Sequence, residues 1–241
     1  MGTYVLVHGA WHDGAAWDPI VRHLDSSGHK AYAPTMAGHG QGASRNVNHA
    51  ACTESIARFI ADHALKDIVL LGHSFGGTVV SKVAEIIPER IKRLVFLNGF
   101  VLEDGHSLID EVPPEYAALY DKLSRESADR TIMIPFPVWR DAFVNDADLE
   151  MAKWTYAQLS PEPYQPCVDK LDLKKFYSLD IPKSYINCTE DMALPQGEWG
   201  WHPRMSGRLG LYRLVQMPGS HETLYTNPSG LVEKIIEAGR D

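Results

Sequence analysis

Ile68-Val69-Leu70-Leu71-Gly72-His73-Ser74-Phe75-Gly76 is the stretch on which the reading of this chain turns. Its first four residues form an apolar run of the length of a buried strand. From Thr78 to Ile87 apolar residues recur at helical spacing, and Pro88 closes the segment. Between the two lies Gly-x-Ser-x-Gly. A bare match to that pattern is no more than a glycine-rich turn. Placed between strand and helix it reads as a nucleophile elbow. The chain turns so sharply that only Gly fits on either side, and the strain lifts the Ser74 hydroxyl clear of the sheet. The helix behind it directs its N-terminal amides and partial positive charge at the same point.

Working outward, apolar runs alternate with amphipathic segments, the pattern of a mostly parallel sheet flanked by helices. Strands are expected at Tyr4 to Val7, Lys30 to Ala33, Leu94 to Leu97, Ser184 to Cys188 and Leu211 to Met217. Helices are expected at Ala16 to Ser27, ended by Gly28, at Thr53 to His63, and at Pro228 to Glu237. Between Gly99 and Asp180 prolines cluster around helical pieces (Glu115 to Leu123, Asp148 to Leu159), and no strand of core quality is apparent. The expected organisation is an α/β core of residues 1–98 and 181–241 with a helical cap, 99–180, inserted. The cap holds more aromatic residues than a solvated meander needs. Phe136, Trp139 and Trp154, with Trp11 from the first loop, are the candidates to line a pocket for an apolar or aryl-bearing substrate.

A serine hydroxyl is a poor nucleophile near neutral pH; it needs a base, and the base an orienting carboxylate. On such a sheet the chain order is serine, acid, histidine. His221 follows the last strand in Pro218-Gly219-Ser220-His221, at the carboxyl edge where catalytic groups gather. His202, in Trp199-Gly200-Trp201-His202-Pro203, is the weaker rival, and His73 is assigned to packing. The acid should follow Ser184 to Cys188: Asp191 is preferred, with Glu190 as the alternative. Oxyanion donors are expected from the amides of Phe75 and Ala10, the latter in His8-Gly9-Ala10-Trp11. No metal is expected, because His8 and His12 do not share a helix face and no His-Glu-x-x-His occurs. Gly38-His39-Gly40-Gln41-Gly42 opens no helix and lacks phosphate-loop spacing, so no cofactor is expected either.

Of 241 residues 44% are hydrophobic, enough to bury the core of one α/β domain. A net charge of −8 and scattered Lys and Arg argue against nucleic-acid or anionic-membrane partners; the densest basic cluster, Lys170 to Lys175, reads as a solvated face. No apolar run approaches the roughly 18 residues of a spanning helix. The chain enters a strand at Tyr4, leaving no room for a signal peptide, and Leu6 stands where a myristoylation start needs Ser or Thr. Three cysteines make no disulfide framework and fit a reducing, cytoplasmic setting. The expected partner is a small-molecule ester, and the oligomeric state stays open between monomer and homodimer.

These residues resemble the α/β-hydrolase superfamily, which carries His-Gly after its first conserved strand (here His8-Gly9), Gly-x-Ser-x-Gly at the elbow, and a late histidine loop. Within it the sheet residues are most similar to the branch of plant methylesterases and hydroxynitrile lyases. Val5-Leu6-Val7-His8-Gly9-Ala10 with Trp17, Gly28-His29-Lys30, the elbow, and Cys188-Thr189-Glu190-Asp191 carry the likeness, over about two-thirds of the chain. The cap matches only loosely. The resemblance implies Ser74, Asp191 and His221 as a triad and Ala10 and Phe75 as oxyanion donors. The branch's lyases have a threonine next to the first histidine and a lysine after the triad histidine; this chain has Gly9 and Glu222. A carboxylate there repels cyanide, so a carboxylic ester hydrolase working through an acyl-enzyme is expected rather than a lyase. An intact triad argues against a binding-only receptor, and Ser74 excludes the carboxylate nucleophile of epoxide hydrolases and haloalkane dehalogenases. One triad serves esters, lactones, carbamates and activated amides alike, so the acyl substrate is not fixed.

Overall fold

Strict alternation of side-chain facing builds the sheet, and its first strand, β1 (Thr3–Val7), already shows it: Val5 and Val7 enter one apolar layer, Tyr4 and Leu6 the other. The computed structural model describes residues 1–241. Helix α1 (Asp18–Ser26) has Pro19 in its first turn and is followed by Gly28 at φ +82°, the left-handed position expected of it. Then come β2 (Lys30–Tyr32), α2 (His49–Asp62), β3 (Ile68–His73), α3 (Gly76–Ile86) and β4 (Ile91–Leu97). Helix α2 starts at His49 rather than Thr53, because the Asn48 side chain accepts from the Ala51 amide and caps it.

Between β4 and the later strands runs a segment with helices at Pro114–Glu126 and Leu149–Tyr156 and one small antiparallel pair, β5 (Thr131–Ile132) with β6 (Glu162–Pro163). Neither is a strand of core quality; at two residues each, with Pro163 in one, neither leaves an alternating pattern to read. Strands β7 (Lys183–Cys188) and β8 (Tyr212–Met217) and the helix Pro228–Gly239 complete the chain. The sheet order is β2-β1-β3-β4-β7-β8, parallel throughout. Apolar side chains of the intervening segment, among them Ile132, Trp139, Phe143 and Phe176, join the same buried cluster as α2, α3 and one sheet face. Helix α1 and Pro228–Gly239 cover the other face.

Parallel register brings all the strand exits to one edge: Val7 pairs with Gly72, His73 with Leu97, Leu97 with Ile186, and Cys188 with Met217. Ala10, Ser74, Asp191 and His221 leave the sheet there. At the sharpest exit Ser74 sits at φ +52°. A Cβ on Gly72 would lie 2.5 Å from the Gly76 carbonyl oxygen, and one on Gly76 2.6 Å from that of His8. The serine's backbone strain, of order 1–3 kcal/mol, is offset by α3, whose Val79, Val80 and Val83 are fully buried. At roughly 1.5 kcal/mol or more for each such side chain, burial wins.

Candidate active site

At the elbow Ser74 is buried but for a small fraction, and it opens into a narrow cavity. His221 enters the same cavity from the loop after β8. Its Nδ1 lies 2.6 Å from Asp191 Oδ2, so Nδ1 carries the proton and donates it to the carboxylate, leaving Nε2 free to act as a base. Ser74 Oγ and His221 Nε2 form no hydrogen bond in this conformation, a gap common in unliganded sites.

Asp191 is wholly buried and both of its carboxylate oxygens accept hydrogen bonds. Oδ1 takes the Ala193 amide at 2.8 Å, and Oδ2 takes Asn98 Nδ2 besides His221. Burial works against an imidazolium at His221; the Asp191 charge and hydrogen bond, with Glu222 adding, outweigh it and hold the pKa above its ordinary value. The alternative acid, Glu190, is exposed, and its Oε2 accepts from the Gly219 amide at 3.1 Å, bracing the histidine loop from outside. His202 bonds Ser206 Oγ through Nδ1 at 2.7 Å. His73, buried, places Nε2 3.0 Å from the His221 carbonyl oxygen; burial and neighbouring histidines push its pKa well down, so it is a neutral donor that packs the loop.

Ala10 and Phe75 both border the cavity, and neither amide donates to an acceptor within the protein. His8 Nδ1 donates to the Gly9 carbonyl oxygen at 2.8 Å, which turns the opposite side of that peptide, the Ala10 N–H, away from His8. Two free buried amides beside a serine can hold an oxyanion.

Of the four side chains expected to line the pocket, Trp11 does so, and Phe136, Trp139 and Trp154 do not. Trp139 is buried behind Phe143, on which it stacks at 5.5 Å, and its Nε1 donates to Thr155 Oγ1. Phe143, not Trp139, meets the cavity. Helix Leu149–Tyr156 turns Ala152 and Thr155 inward, so Trp154 projects outward, half exposed and edge-on to Tyr225. Phe136 packs edge-on against Tyr156. Sequence reasoning did not find Trp201, which stacks on His221 with ring centroids 5.1 Å apart, nor Asn98 or Glu162. The Trp199–Pro203 run was the one visible signal for Trp201.

Glu222 does not reach solvent. Its Oε2 lies 3.5 Å from His12 Nε2, both side chains are buried, and burial raises the Glu222 pKa. His73, His221 and Glu222 bring potential ligand atoms within 4.8 Å of one another. In that group His73 Nε2 meets a backbone carbonyl and His221 Nδ1 meets Asp191, contacts that fix both rings in the loop.

A strand-elbow-helix serine, a late histidine and an intervening aspartate on a parallel sheet define a class, and the chain belongs to the alpha/beta hydrolase family, whose sequence model matches residues 4–234. It is similar to a carbendazim hydrolyzing esterase of Nocardioides sp. (strain SG-4G), 29% identical over 255 residues, covering 99% of this chain and all of the relative. Methylesterase 1 of Arabidopsis thaliana is 24% identical over 221 residues, covering 82% of this chain and 81% of its own. Among solved structures, an extracellular alpha/beta-hydrolase from a Paenibacillus species superposes with a TM-score of 0.98 at 45% identity over the whole of both chains. That protein is described as sharing structural and functional homology with tobacco salicylic acid binding protein 2. The likeness to plant methylesterases expected from the sheet residues is thus met. No helix is long and apolar enough to cross a membrane.

Proposed function

We propose that this chain hydrolyses small carboxylic esters with an apolar or aryl part, through an acyl-enzyme on Ser74. The observation that carries this is the 2.6 Å His221–Asp191 contact behind a serine on a positive-φ elbow. His221 Nε2 takes the Ser74 proton as Oγ attacks the ester carbonyl. The Ala10 and Phe75 amides hold the oxyanion, Asp191 keeps the imidazole tautomer, and His221 returns the proton to the departing alkoxide. Water then deacylates the enzyme with His221 again the base. Apart from Ser74, His221 and Glu162 the cavity wall is apolar or aromatic, which supports an apolar substrate over a charged one. Residues 99–180 act as a cap over the site, contributing Phe100, Phe143 and Glu162 to that wall. Cys52, Cys167 and Cys188, free and buried, support residence in a reducing compartment such as the cytoplasm.

A panel of methyl and p-nitrophenyl esters of graded acyl length, with mandelonitrile as the lyase control, tests the assignment. Ester turnover without cyanide release is expected; cyanide release at the best ester rate would overturn it. Because the base must be neutral and its imidazolium is stabilised, kcat/KM should fall as pH drops through a midpoint above the ordinary histidine value of about 6.5. A profile whose acid limb lies below that value would mean that Asp191 does not act on the base.

A further inference from the structure

Trp11 follows the Ala10 amide in sequence, and it sits at φ +64°, a left-handed conformation that a bulky side chain rarely adopts. All three of its polar groups that bond within the protein are held by residues 99–180. Its amide donates to Glu162 Oε2 at 2.9 Å, its carbonyl accepts from the Ser160 amide at 2.8 Å, and its indole Nε1 donates to the Ile132 carbonyl at 3.0 Å. Ile132 and Glu162 are paired residues of the β5–β6 ladder, so that small sheet grips this one residue of the core.

Glu162 is itself fully buried and borders the cavity. It is fixed by His39, whose Nε2 lies 3.0 and 3.1 Å from the two carboxylate oxygens. His39 Nδ1 meets the Ala37 carbonyl at 3.0 Å, so both ring nitrogens face acceptors and the pair carries one proton more than a neutral imidazole beside a carboxylate. The extra charge cancels that of Glu162 and spares the site an uncompensated anion beside the oxyanion. The peptide joining Ala10 to Trp11 is clamped from both sides, its carbonyl by His12 Nδ1 at 2.7 Å and its N–H by Glu162. Rotation of that peptide would move the neighbouring Ala10 N–H off the cavity.

We propose that Glu162, paired with His39, is a positioning residue: through Trp11 it holds the Ala10 amide in line for the oxyanion, so the cap completes the oxyanion site only when its β5–β6 ladder is seated. This rests on the reading of Ala10 as an oxyanion donor. Glu162→Gln keeps an acceptor for the Trp11 N–H and a donor for a neutral His39, so it preserves the clamp without the charge; Glu162→Ala leaves both partners bare.

The test compares the two variants with the wild type on the best ester of the panel. Three readings are taken: kcat and KM, affinity for an aryl trifluoromethyl ketone, whose hemiketal places an oxyanion in the site, and hydrogen exchange at the Trp11 amide. For Glu162→Ala we expect kcat to fall 10- to 100-fold with KM within threefold, ketone affinity to fall by the same factor as kcat/KM, and Trp11 exchange to accelerate. Glu162→Gln should stay within about fivefold of wild type in all three. Equal losses in KM and in ketone affinity, or an unchanged kcat with Trp11 still protected, would overturn the proposal. Accelerated Trp11 exchange in Glu162→Ala with kcat and ketone affinity intact would instead refute the role of Ala10 while leaving the clamp itself established.

Discussion

Ser74→Ala is expected to lower kcat by about 10⁶, to the level that binding and the oxyanion amides alone provide. The fold should persist, because alanine occupies the +52° backbone position at much the same cost as serine and α3 remains buried. Steady-state turnover of the best ester, alongside a thermal unfolding scan, checks both halves. A folded variant that still turns over would remove covalent catalysis from the account.

Asp191→Asn is expected to lower kcat by about 10³ to 10⁴. Asp191 accepts from three donors: the Ala193 amide at Oδ1, and Asn98 and His221 at Oδ2. An asparagine can be turned either way and still face one of those donors with its own N–H₂. When its oxygen keeps the Ala193 amide bond, its N–H₂ faces His221 Nδ1, which must then accept, and the imidazole proton moves to Nε2, where it blocks the base. Glu190→Gln should change kcat by less than a few-fold, since the side chain meets only the Gly219 amide and an amide oxygen can accept that bond. The reverse ranking would transfer the acid to Glu190.

The core elements and the placing of Ser74, Asp191 and His221 at one sheet edge were legible because each is bound to a local rule. A nucleophile elbow needs glycine at 72 for space within the turn and at 76 for space against the first strand, and the acid and histidine lie at fixed exits of a parallel sheet. The lining of the pocket obeys no such rule. Trp139 and Phe143 are both large and aromatic, and only the crossing of their segment over the cavity decides that Phe143 faces in and Trp139 stacks behind it. Trp154 belongs to a helix whose buried face is set by tertiary contacts, not by its own pattern. Glu162 was invisible for a further reason: a lone Glu between prolines reads as solvent-exposed, and what buries it, His39 and Trp11, lies more than a hundred residues earlier. The lyase question shows the same limit. Sequence gives Glu222 its sign, and only the fold turns it inward to His12.

The central claim is a covalent intermediate on Ser74, and the most direct test is mass spectrometry of the protein after brief reaction with an aryl phosphonate or a slowly deacylating p-nitrophenyl ester. One adduct per chain is expected, mapped by peptide digestion to the Gly72-His73-Ser74-Phe75-Gly76 turn, forming in step with loss of activity and absent in Ser74→Ala. Full inactivation with the adduct on any other residue, or brisk ester turnover with Ser74 never modified, would contradict it.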